Sequence, residues 1–230
     1  MTDYSAGSFF IKPSSRGVND FEDLINRDYQ IDIRKWLGNG WEIFKANAGP
    51  SIAFAVLAGI CYAVLLQIPF AGLLIMYPLM AGFIIISLMF YQNKTAELKN
   101  YFGGFRHFLP LLLFTIVSTL FITIGMILLI IPGIYLSIAY VFAPFLIVEK
   151  NIDFWPAMEI SRKKVNKHFF GMLGFSIVII VINMVGCIPA FLGLFITIPL
   201  TISMITAAYK DIFMDRNGTD KSSEAVEPAA

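Results

Sequence analysis

The chain has 230 residues, of which 57% are hydrophobic and 14% charged, with a formal net charge of +1. A soluble domain carries about 25% charged residues, and a balance this close to neutral excludes recruitment of nucleic acid by a strong basic field. The length suits one compact bundle and leaves no room for a separate catalytic domain.

In chain order, residues 1–19 are rich in Ser, Gly and Pro without periodicity, which predicts a mobile tail. Residues 20–47 predict cytoplasmic amphipathic helices. Phe21, Leu24 and Ile25 follow Asp20 at helical spacing, and Leu37, Trp41, Phe44 and Ala48 then share a face. Gly38 and Gly40 predict a break in the second of these helices. The first 47 residues are largely polar and charged, so no cleavable leader is expected and the first apolar segment is read as its own insertion signal.

Residues 48–209 read as the membrane domain. The span 51–91 holds no charged side chain. Its length exceeds one crossing and fits two, turning at Pro69. The first leg, 51–67, is only about 25 Å long at about 1.5 Å per residue. A second uncharged hairpin covers 108–148 and turns at Pro132 and Gly133. A third covers 170–209 and turns at Pro189. Ile-Pro dipeptides mark all three turns, which suggests a threefold repeat of helix plus hairpin. The plainer reading is that Pro, Phe and Gly are common in membrane turns. Residues 210–230 read as a charged cytoplasmic tail. The expected fold class is therefore all-α: a polytopic bundle with six crossings in three hairpins, and with amphipathic helices at its interface.

Charge placement sets the expected topology. The 17 Lys and Arg fall in the N-terminal segment, 92–107, 149–168 and the C-terminal segment, and the 16 acidic residues and two histidines fall there too. With six crossings these segments share one side, and the positive-inside rule makes that side, with both termini, cytoplasmic. No ionisable group is then left in the bilayer, which argues against ion-coupled transport. Pro78, Pro110, Pro144 and Pro199 leave open a route lined by freed carbonyls, although membrane helices also tolerate proline as simple kinks.

No catalytic or nucleotide motif is present, so neither an enzyme nor a cofactor is expected. Cys61 and Cys187 read as free thiols, and His107 and His168 as interfacial polar residues. The surface helix at 153–169 is the most informative segment. Asp153 is a candidate cap, and Phe154, Met158, Val165 and Phe169 share a face. Glu159 stands at ion-pair spacing from Arg162 and Lys163. Arg162, Lys163, Lys164 and Lys167 are candidate contacts for anionic lipid headgroups, at about 1 kcal/mol each; alternatively they only orient the hairpins. Trp36, Trp41 and Trp155 read as interfacial anchors.

Residues 131–136 (IPGIYL), 143–149 (APFLIVE) and 155–164 (WPAMEISRKK) carry a resemblance. Over about 110–175 the chain resembles the six-helix bacterial membrane proteins related to the membrane domain of glycerophosphoryl diester phosphodiesterases. In such phosphodiesterases a separate soluble domain carries catalysis. The resemblance implies a multi-pass protein of the bacterial inner (plasma) membrane, connected with envelope lipids, and does not imply an enzyme. The expected function is to organise or sense envelope lipids, possible anionic partners among them, or to scaffold a membrane-protein partner or a second copy. The alternative is a channel or permease for a lipid-like or zwitterionic solute.

Overall fold

The computed structural model describes residues 25–26, 28–65, 67, 71–92, 98–189 and 191–213. The expected tail at 1–19, the helix start at Asp20, the turn at Pro69 and the tail beyond 213 lie outside the described residues. The described chain is helical, with no strand among the described residues. Its elements are α1 (Ile33–Ala46), α2 (Ala48–Leu65), α3 (Ala71–Tyr91), the short α4 (Leu98–Tyr101), a 3-10 segment (Phe102–His107), α5 (Phe108–Leu128), α6 (Ile130–Ala139), α7 (Ala143–Lys150), α8 (Phe154–Asn166), α9 (Phe169–Cys187) and α10 (Leu194–Phe213).

Among the described residues, three helical segments are long and apolar enough to cross a membrane: Lys99–Leu128, Ile130–Lys150 and Phe169–Cys187. A fourth is reached if α1 and α2 count as one span, but they are bent by 84° to each other. A polar knot sits at that bend. The Asn47 amide donates to Ser51 Oγ at 3.0 Å and to the Tyr101 hydroxyl at 2.8 Å, all of it buried.

Glycine does not break α1. The helix runs unbroken through Gly38 and Gly40, and its buried face is Trp36, Gly40, Ile43 and Phe44 rather than the face that includes Trp41. The reason is contact, not propensity. A Cβ at Gly40 would lie 2.4 Å from Met204 Cα, so this glycine lets α1 lie directly on α10. Asp32 caps the helix, accepting from Lys35 N at 2.9 Å.

The reversal between α5 and α6 lies at Leu129, whose backbone is extended (φ −156, ψ 125). That is three residues before the expected Pro132. Pro132 instead occupies the first turn of α6, where a missing N–H costs little. Gly125 and Gly133 face each other across the reversal, and a Cβ on Gly125 would stand 3.0 Å from Gly133 N. The turn between α9 and α10 does include Pro189. The helical stretch after Leu129 is divided into α6 and α7, and Ser161 of α8 holds that division. Ser161 Oγ donates to Ala139 O at 2.6 Å and accepts from Phe142 N at 3.2 Å.

Helix α10 is the centre of the bundle, packing on α1, α2, α3 and α9. It is buried from Pro199 along most of its length. Its polar residues tolerate this because Thr201, Ser203 and Thr206 each donate to a carbonyl of the preceding turn, at 3.0, 3.0 and 2.8 Å. The other extreme is the hairpin tips. Ile127 to Ile131 are 66–80% exposed, as are Ile188, Leu192 and Phe191 at the second described turn. In water each such side chain would forgo about 1.5–3 kcal/mol of burial. Membrane is the medium that removes this penalty.

Candidate functional site

The charged groups of the described chain gather at the end of the bundle opposite those tips, in two layers. The outer layer is α8, the expected basic helix. Its buried face is Ala157, Met158, Ile160, Ser161, Lys164 and Val165. Asp153 occupies the cap position, though its side chain makes no capping hydrogen bond. Glu159 grips Arg162 with both oxygens, Nε to Oε2 at 2.9 Å and Nη2 to Oε1 at 2.8 Å, with Lys163 at 3.4 Å from Oε1. Arg162 therefore holds the Glu159 carboxyl below its usual range, and Glu159 in turn raises the guanidinium.

Of the four candidate headgroup contacts, the structure leaves Arg162 and Lys163 facing outward, 35% and 49% exposed. Lys167 is turned back onto the chain, donating to Asn26 O at 2.8 Å. Lys164 is a correction. It is fully buried, with Nζ 5.6 Å from the Tyr29 ring and 5.7 Å from the Phe213 ring, and it cannot reach a headgroup. The tryptophans divide in the same way. Trp41 and Trp155 are exposed, Trp41 beneath Lys45 at 6.0 Å and Trp155 against Phe121 at 6.4 Å. Trp36 is not an interfacial anchor. It is fully buried, edge-on to Phe175 at 5.2 Å, with its indole N–H on Asp211.

The inner layer was not legible as a site. Lys210 of α10, fully buried, pairs with Glu149 at the end of α7, and its ammonium lies 5.9 Å from the Tyr91 ring. The next residue, Asp211, binds α1 twice: Lys35 Nζ to Oδ1 at 2.5 Å and Trp36 Nε1 to Oδ2 at 2.9 Å. Consecutive residues of opposite charge thus tie α10 to two different helices. The charged tail expected from residue 210 begins later, because α10 continues through Lys210 and Asp211 to Phe213 and buries Tyr209, Ile212 and Phe213. Their apolar spacing beyond Ala207 is the signal that extends the helix. Lys164 and Lys210 lie inside the bundle at its charged end. Protein, rather than distance from the membrane, shields them.

The histidines separate as well. His107 is buried at the start of α5, whereas His168 joins Asp28 at 3.0 Å and lies edge-on to Tyr29 at 4.7 Å. That bond lowers the Asp28 carboxyl, while burial raises the Tyr29 phenol. The Tyr29 hydroxyl donates to Lys164 O at 3.1 Å, tying the segment before α1 to α8.

Between the layers and the tips, a half-open crevice of about 230 Å³ is lined by Met80, Phe114, Ile122, Tyr140, Phe145 and Ile205. Two wall hydroxyls are satisfied within their own helices: Ser118 donates to Thr115 O at 3.3 Å, and Ser137 to Gly133 O at 2.9 Å. The crevice is consequently apolar. Among the described residues no group of three His, Cys, Asp or Glu could hold a metal ion, and Cys61 and Cys187 are unpaired thiols. No family model, curated protein or solved structure matches the chain.

Proposed function

We propose that this chain is a non-enzymatic protein of the bacterial inner membrane that organises or senses envelope lipids through its charged, cytoplasmic end. In this reading three hairpins give six crossings, and both termini are cytoplasmic. The supporting observation is the division of labour on α8. One face is locked into the bundle through Ser161, Lys164 and the Tyr29 bond, and the other offers Arg162 and Lys163 to the headgroup layer beside exposed Trp155. A rigid basic face beside an aromatic anchor suits anionic headgroups, and the resemblance to phosphodiesterase membrane domains points to the same lipids.

The test is co-sedimentation of detergent-purified protein with phosphatidylglycerol vesicles. Arg162→Gln with Lys163→Gln is expected to weaken binding about tenfold or more, at about 1 kcal/mol for each base. Lys164 is left intact because it is buried. Unchanged binding would remove the lipid role and leave scaffolding of a protein partner or second copy. A permease for a lipid-like solute is the second reading, favoured by the apolar crevice. Flux through reconstituted vesicles no greater than through empty ones would exclude it.

A further inference from the structure

The described hairpin turns carry a property that the charged end does not explain. From Met126 to Gly133 and from Ile188 to Leu194 there is no polar side chain. The side chains at both tips point outward, with Ile131 80% and Ile188 79% exposed. A turn that emerges into water normally carries polar residues, as these connections would have to.

Length points the same way. Helix α5 has 21 residues and α9 has 19, which give about 31 Å and about 28 Å at about 1.5 Å per residue. Both start beside charged groups, α5 after Arg106 and His107 and α9 after Lys167 and His168, which hold those starts at the near boundary. A tilt of about 20° shortens the reach to about 30 Å and about 27 Å. The hydrocarbon core is itself about 30 Å thick, with about 5–7 Å of headgroup layer beyond it. Neither turn has the reach to clear that layer.

Hydrogen bonding supplies an independent argument. Backbone placed in lipid must satisfy its own polar groups. In the turn before α10, the amides of Ile188, Phe191, Leu192, Leu194, Phe195, Ile196 and Thr197 all donate to carbonyls within 185–193, at 2.9–3.3 Å. In the turn before α6, Leu129 N donates to Gly125 O at 3.1 Å, and Pro132 has no N–H to satisfy. Seven amides of the α9–α10 reversal are thus satisfied by the chain itself, without water.

We infer that the α5–α6 and α9–α10 turns end within the distal leaflet, and that these tips are an interaction surface for its acyl chains rather than loops in the far aqueous compartment. Any ligand or protein partner of these hairpins therefore arrives from the charged side or within the plane of the bilayer. The inference is independent of what α8 binds, so loss of the headgroup reading leaves it standing.

The test uses the full chain with Cys61→Ala and Cys187→Ala, carrying one new cysteine at a time: Ile131→Cys, Leu192→Cys, or Lys163→Cys as the aqueous control. All three positions are exposed, so none of these changes disturbs the core. Thiols react as thiolates, which form in water. A membrane-impermeant maleimide, given access to both faces of reconstituted vesicles by freeze–thaw, is expected to label the two tip cysteines about tenfold or more slowly than the control. The same tip cysteines, carrying a fluorophore attached in detergent before reconstitution, are expected to be quenched by lipids with nitroxides on their acyl chains. Tip labelling as fast as the control would overturn the inference by placing the turns in water. Slow labelling without quenching would overturn it too, because another protein chain would then be covering the tips.

Discussion

The indole N–H of Trp36 donates to Asp211 Oδ2 at 2.9 Å, joining the first described long helix to the last across 175 positions of sequence. The same carboxylate takes Lys35 on its other oxygen. Trp36 is fully buried while Asp211 is partly exposed, so the bond closes the bundle at the edge of its interior. Trp36→Phe is expected to lower stability in detergent by about 1.5–3 kcal/mol, the range for hydrogen bonds to charged groups. Thermal unfolding should show the loss, and Trp41→Phe, at an exposed site, should not.

The Glu149–Lys210 pair joins α7 to α10 with the lysine wholly enclosed. Removing one member strands a buried charge, at a cost of about 3–5 kcal/mol. Glu149→Gln or Lys210→Met alone should therefore destabilise strongly. The double variant should recover most of the loss, because a neutral, similarly shaped pair has no unpaired charge. A double-mutant cycle on unfolding midpoints decides this, and additive losses would contradict the pairing.

Gly40 and Gly38 occupy one helix and should behave oppositely. A methyl at position 40 meets Met204 backbone at 2.4 Å, whereas nothing lies within 4 Å of position 38. Gly40→Ala is expected to cost about 1–3 kcal/mol through overpacking. Gly38→Ala should gain up to about 1 kcal/mol from helix propensity. Paired melting curves would show the two signs.

Glu159 moderates the basic face it belongs to. Its carboxyl, held low by Arg162, contributes stability that is complete above the ordinary glutamate range and is lost as pH falls through the lowered value. Between neutrality and mildly acidic pH the pair should be unchanged. Below the ordinary range, protonation frees Arg162, and vesicle binding should rise even as α8 loses a stabilising contact. Glu159→Gln should produce that gain at neutral pH, about fivefold for one uncompensated base, measured on the same phosphatidylglycerol vesicles.

What the sequence determined by itself was set by patterns that any local environment respects. Uncharged runs made helices, with the end of 108–148 and the start of 170–209 falling close to real boundaries. The spacing of Glu159, Arg162 and Lys163 became an ion-pair cluster, and the helix at 153–169 became α8. Tertiary structure alone decided which side of each helix faced protein. Helical periodicity places Trp36 and Trp41 on different faces but does not say which neighbour waits there, and α10 took Trp36. Lys164 and Lys210 look like interfacial charge in one dimension, because burial of an ammonium depends on partners brought from 61 or 135 positions away. Gly40 reads as a helix breaker until Met204 is known to lie against it. Local rules fix an element and its amphipathic stripe; only the packing of elements distant in sequence decides which charges are paired and hidden, and which remain to meet the membrane.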